Sequence, residues 1–245
     1  MPPEDDRASR DAKTGAAVET FAARRRRAQA IADALAERYP GDAASLCPLR
    51  HRSPFELLVA TVLSAQCTDE RVNALTPTLF ARFPDPGALA AADQAELEQL
   101  IRPTGFFRTK ATNLRRLAQA LVERFSGQVP EDLDDLASLA GVGRKTANVV
   151  RSVDFGLPGF PVDTHVTRVS RRLGLTEEKD PERIEADLSA LWPPELWGVV
   201  SIRLILHGRE TCVARRPRCE TCPLARWCPT VRVPEADRER GTSSR

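Results

Sequence analysis

Three features of the sequence predict an all-α fold. Apolar residues recur at spacings of three and four with no convincing two-residue alternation, helix-start signals recur along the chain, and the breaks between them are short and carry proline. Ser53-Pro54-Phe55-Glu56 reads as a capping box with proline at the first helical position. It opens a helix that is apolar on most sides and therefore central. Asp93 with Glu96 repeats the box, and Leu114, Leu117, Leu121 and Phe125 mark one face of a further helix. Leu133, Leu136, Ala137 and Ala140 mark the next, whose opening turn sets Glu131, Asp132, Asp134 and Asp135 against the positive helix end. Ile184, Leu188 and Leu191 belong to a helix begun by Asp180-Pro181 and stopped by Pro193-Pro194. Breaks at Phe83–Gly87, Arg102–Gly105, Leu157–Pro161 and Trp192–Pro194 divide the chain into about nine or ten helices. The two ends, 1–21 and 231–245, are polar without a sustained period and read as solvated arms.

Composition narrows the class. With 245 residues, 42% hydrophobic and 29% charged, the chain has material for one or two domains, which excludes a disordered or collagen-like protein. No strictly apolar run, Leu57–Ala60 included, exceeds the five residues of Ala88–Ala92, far short of the ~20 residues of a membrane span, so a soluble protein with no membrane partner is expected. No apolar segment follows the opening MPPEDDRASR, so no secretory signal is visible and a cytoplasmic location is the default. Lys and Arg number 36 against 34 Asp and Glu; the net charge of +2 is too small to demand a polyanionic partner, and the distribution of charge has to decide.

The most informative stretch is Leu133–Val153. Gly141-Val142-Gly143 allows backbone angles closed to other residues and turns the chain sharply into a second helix from about Arg144. A tight turn at a helix N-terminus aims several N–H groups at one point, which suits a phosphate oxygen, so LAGVGRKTA with its flanking helices reads as a helix-hairpin-helix. Lys145 sits in the first turn of the second helix. The positive helix end and the neighbouring Arg144 both disfavour its charged form, which makes it a candidate nucleophile, while a lysine at a helix start taken alone is more often a solvated or phosphate-binding charge. Asp163, in Val162-Asp163-Thr164-His165, follows a proline loop and precedes Val166, Val169 and Leu173, which makes it an N-cap worth ~1 kcal/mol. A carboxylate held ionised by backbone donors is also fit to stabilise a developing oxocarbenium ion, and the two roles are compatible.

Four of the six cysteines, Cys212, Cys219, Cys222 and Cys228, fall within seventeen residues as Cys-x6-Cys-x2-Cys-x5-Cys. In a reducing compartment such clustering favours metal ligation over disulfides, and the spacing fits either a four-cysteine zinc site or a [4Fe–4S] cluster. Between the first two lies a basic loop with Arg215, Arg216 and Arg218. Anchored at both ends to a metal centre, it offers fixed cations to phosphates.

With LSAQCTDE at 63–70, LAGVGRKTAN at 139–148, VDTH at 162–165 and the four-cysteine spacing, the chain resembles the endonuclease III family of DNA glycosylases and abasic-site lyases over roughly Ala22–Thr230. The resemblance implies the helix-hairpin-helix glycosylase fold, with two helical domains flanking a DNA cleft. It assigns 47–157 to a six-helix barrel carrying the hairpin at about 132–155, and 22–46 plus 158–230 to a domain holding a [4Fe–4S] cluster. Lys145 takes the place of the nucleophile and Asp163 that of the catalytic aspartate. The implied partner is duplex DNA with a damaged pyrimidine or an abasic site, met by a monomer on the nucleoid, and the reaction is base release followed by β-elimination through a lysine Schiff base. Gln66 falls where the family fills the vacated stack, Phe106 on a wedge position that is often leucine, and Gly141, Val142, Gly143, Arg144 and Thr146 on the hairpin that meets DNA. Ala140 departs from the proline common before the hairpin, which loosens the turn without removing its N–H donors. An adenine mismatch glycosylase on the same scaffold is the nearest alternative; Lys145 and the lack of a further C-terminal domain argue against it. A paralogue that only binds DNA or senses redox state is opposed by the presence of both Lys145 and Asp163. A zinc-finger regulator is opposed by the lack of a recognition helix after Cys219-x2-Cys222.

Overall fold

The computed structural model describes residues 19–231. They form twelve α-helices and four short 3-10 turns, with no strand among the described residues. The twelve are α1 (Phe21–Arg38), α2 (Ala43–Leu46), α3 (Pro54–Leu63), α4 (Asp69–Arg82), α5 (Pro86–Ala90), α6 (Gln94–Ile101), α7 (Phe107–Phe125), α8 (Leu133–Ala137), α9 (Arg144–Val153), α10 (Thr164–Arg172), α11 (Pro181–Ser189) and α12 (Trp197–Glu210). The excess over the nine or ten expected comes from α2 and α5, of four and five residues, too short for a 3.6-residue period to show. Of the two arms expected at 1–21 and 231–245, residues 1–18 and 232–245 lie outside the described residues. Within reach of the first, Thr20 caps α1 and Glu19 pairs with Arg27 at 2.7 Å.

Side-chain caps start most of the helices where the sequence places them. Asp93, Asp132 and Asp180 each accept backbone N–H bonds from the first turn that follows. Ser53 accepts from Glu56 N, but the Glu56 carboxylate takes the N–H of Arg52 at 2.8 Å rather than that of the cap residue, so the expected box is closed from one side and shifted by one residue on the other. On α8 the expected face also changes. The helix ends at Ala137, which is exposed, and the turn that follows brings Leu139 inward beside Leu136.

Two hydrophobic cores result. The first is built from α3 to α9 and Ala43 of α2, with α3 buried on every side at its centre and Leu114, Leu117 and Leu121 of α7 fully inside. The second joins α1 to α10, α11, α12 and the cysteine segment, with Phe160 stacked on Trp192 at 6.1 Å and the Trp192 indole N–H donating to Ala28 O. Burying a side chain of this size contributes ~1.5–3 kcal/mol, which is what holds the N-terminal helix against the C-terminal half of the chain. The cores meet where α12 crosses α9 at Gly198; a Cβ there would lie 2.5 Å from that of Ser152.

Candidate active site and iron–sulfur centre

The chain leaves α8 through Leu139 and Ala140 and turns at Gly141, whose φ of +80° lies in the left-handed region. A side chain there would also meet Asn113 at 3.1 Å. Gly143 has φ −92° and ψ 172°, ordinary extended backbone, and serves as the N-cap of α9; of the two glycines only the first is needed for its angle. Val142 is buried beneath the turn, and the backbone of Gly141 and Gly143 stays exposed. Lys145 projects from the first turn of α9 into solvent, with Thr146 half-buried beside it. Arg144 does not share that space. Its guanidinium makes a two-pronged ion pair with Glu185 of α11 at 2.8 and 2.9 Å, so the cation expected to act on Lys145 is neutralised.

Asp163 caps α10, and its Oδ1 accepts from His165 N and Val166 N at 2.8 Å each. Lys145 and Asp163 line two hollows in common, between elements of the first core and elements of the second. The smaller, of about 90 Å³, is also lined by Cys47, Asp69 and Arg209; the larger and open one, of about 700 Å³, by Gln66, Arg71 and His165. Burial holds the His165 imidazole below its ordinary pKa, Arg168 and Arg209 act in the same sense, and Asp163 opposes them. Arg209 in turn donates to Asp69 at 2.6 Å and so ties α12 to the start of α4 across the hollow. Neither residue was singled out from sequence, because the pairing joins positions 140 residues apart and no local pattern marks it.

Gln66, which lines the larger hollow, and Phe106 are both exposed and hold left-handed backbone, at φ +55° and φ +47°. Phe106 is 66% exposed, a large apolar side chain facing water in a protein with two well-filled cores. Arg215, Arg216 and Arg218 are exposed on their loop, which Arg172 fastens from below by donating to Val213 O at 2.8 Å and Ala214 O at 2.7 Å.

The four clustered cysteines line one cavity of about 390 Å³, closed by Arg172, Leu173, His207 and Pro217 among others. A single tetrahedral ion with bonds of ~2.3 Å to sulfur would draw four thiolates together around far less space. The room and the all-thiolate donor set fit a polynuclear iron–sulfur group. Arg172 Nη1 lies 3.4 Å from Cys212 Sγ, and Arg168 donates to Cys212 O, so α10 carries Asp163 at its first end and grips the cysteine segment toward its last. Cys47 and Cys67 stand apart from this set; burial pushes the Cys47 thiol above its ordinary pKa.

Residues 59–194 match the family model described as HhH-GPD superfamily base excision DNA repair protein, and residues 212–228 match that of the iron–sulfur binding domain of endonuclease III. The chain is 51% identical to the endonuclease III of Synechocystis sp. over 214 residues, 87% of this chain and 96% of that protein. Among solved structures, a non-covalent endonuclease III–DNA complex superposes with a TM-score of 0.79 at 42% identity, covering 88% of this chain and 98% of that one. A trapped endonuclease III–DNA covalent intermediate with an estranged adenine gives 0.79 at 45% identity, covering 84% and 96%. The cofactor is accordingly a [4Fe–4S] cluster. The fold is the helix-hairpin-helix glycosylase fold, and the chain belongs to the endonuclease III family.

Proposed function

We propose that this protein is a bifunctional base-excision DNA glycosylase that removes oxidised pyrimidines from duplex DNA and cleaves the abasic site by β-elimination. The observation that carries the reading is the sharing of one cleft by an exposed lysine at a helix start and a capped aspartate. The exposed backbone of the hairpin, with the N-terminus of α9 behind it, receives a phosphate, and Arg215, Arg216 and Arg218 meet the backbone further along. The damaged nucleotide must leave the stack, because C1′ is inaccessible within it. Gln66 and Phe106 occupy the space it vacates.

Asp163 stabilises positive charge developing on the sugar as the base departs, and its two backbone hydrogen bonds hold the carboxylate in place for that task. Lys145 Nζ, once neutral, forms the bond to C1′ and expels the base. Opening of the sugar ring gives a Schiff base between Lys145 and C1′, which acidifies the C2′ proton; its loss drives out the 3′ phosphate, and water releases the lysine. Cys212, Cys219, Cys222 and Cys228 hold the [4Fe–4S] cluster, whose contribution here is to fix the basic loop and the far end of α10. The two cores support a division into a barrel near 47–157 and a cluster domain of 22–46 plus 158–230. A duplex with one thymine glycol tests the reading. Scission on the 3′ side of the lesion, leaving an unsaturated aldehyde by mass spectrometry, is expected; an intact strand with an abasic site would instead mark a monofunctional glycosylase.

A further inference from the structure

Lys110 is a buried lysine to which the mechanism gives no part. Only 6% of it is exposed, and among the described residues it makes no ion pair. Its ammonium donates to two backbone carbonyls, Leu63 O at 2.8 Å and Thr104 O at 2.9 Å. Leu63 ends α3, immediately before the turn that carries Gln66. Thr104 ends the 3-10 turn Arg102–Thr104, immediately before Gly105 and Phe106. The other hydrogen bonds of these turns are local, such as Cys67 N to Ser64 O and Gly105 N to Arg102 O. Among the described residues, Lys110 is the one side chain hydrogen-bonded to both segments.

A buried ammonium is costly, and burial lowers the affinity of Lys110 for its proton, with the nearby Cys67 thiol acting in the opposite sense. A methionine would fill similar space without that cost, but it could not satisfy two carbonyls at once. The segments joined are the two whose tips, Gln66 and Phe106, hold left-handed angles that non-glycine residues adopt only when their surroundings impose them.

We propose that Lys110 is a positioning residue that couples the Gln66 and Phe106 loops, so that the two side chains enter the duplex as one unit. The inference rests on the function proposed above, in which these residues replace the extruded nucleotide. Lys110→Met tests it in the full-length, cluster-loaded protein on two duplexes: thymine glycol opposite adenine, which demands unstacking and displacement, and an abasic site opposite a second abasic site, which has no base to unstack and no opposite base to displace. On the first, kcat/KM is expected to fall at least about tenfold, the size of effect when a buried carbonyl loses a charged donor. On the second it stays within about threefold, with Lys145 trapping intact. The rise in 2-aminopurine fluorescence opposite the lesion, which reports unstacking on binding, is lost with the first effect. Equal losses on both duplexes, or unchanged fluorescence, would overturn the proposal. No cleavage of the doubly abasic duplex by the parent protein would instead overturn the functional reading beneath it. A second test leaves Lys110 in place, so that it stands even where Lys110→Met does not fold. Gln66→Ala and Phe106→Ala are combined in the parent chain, and coupled loops predict that the double variant loses markedly less than the product of the single losses. Simple multiplication of the two would contradict coupling.

Discussion

The capping role of Asp163 and the chemical role proposed for it fall on one carboxylate, and the two can be separated. Asparagine caps a helix about as well as aspartate but carries no charge. Asp163→Asn should therefore leave stability within ~0.5 kcal/mol by thermal unfolding, while base release falls at least about a hundredfold in single-turnover assays. Equal losses of stability and turnover would reduce Asp163 to a cap. At this scale the sequence was most legible where chemistry is local. The helix-start positions of Lys145 and Asp163 and the spacing of the four cysteines were readable locally, while the catalytic roles of the lysine and the aspartate came from the family resemblance. Lys110 and the Asp69–Arg209 pair were not legible, since their partners lie 47 and 140 residues away and only the fold brings them together. Arg144 shows the converse. Its position suggested a free cation beside Lys145, and Glu185, supplied by α11, absorbs it.

The hairpin turn shows what one element needs from its residues. Gly141 is held at positive φ with Asn113 against its missing side chain, whereas Gly143 is extended with nothing within 4 Å of a Cβ. Gly141→Ala should cost ~1–2 kcal/mol and weaken DNA binding, while Gly143→Ala should change stability by less than ~0.5 kcal/mol. Thermal unfolding with a binding titration checks both, and similar costs for the two would mean that the turn is not built on the angle of Gly141. Long helices such as α7 and α11 were readable from periodicity and caps. The short α2 and α5 were not, because four or five residues make barely one turn, while α8 was read from its apolar spacing but ends before Ala140 can join the expected face.

Across the whole molecule, two cores frame a cleft, and α10 runs from that cleft to the cysteine segment. Arg215, Arg216 and Arg218 lie exposed on a loop fastened by Arg172, so their joint replacement by alanine should weaken duplex binding and flatten the slope of log affinity against log salt by ~0.9 for each phosphate that is no longer neutralised. An unchanged slope would place the DNA elsewhere. The division into two cores was foreshadowed only through resemblance, since no composition shift marks where the chain leaves one core and returns to the other. Borohydride trapping on a thymine glycol duplex, followed by peptide mapping of the crosslink, tests whether Lys145 forms a covalent bond to the sugar from within this cleft. A protein–DNA adduct mapped to Lys145 and absent from Lys145→Ala is expected. An adduct on another residue, or one that persists in the Lys145→Ala protein, would contradict it.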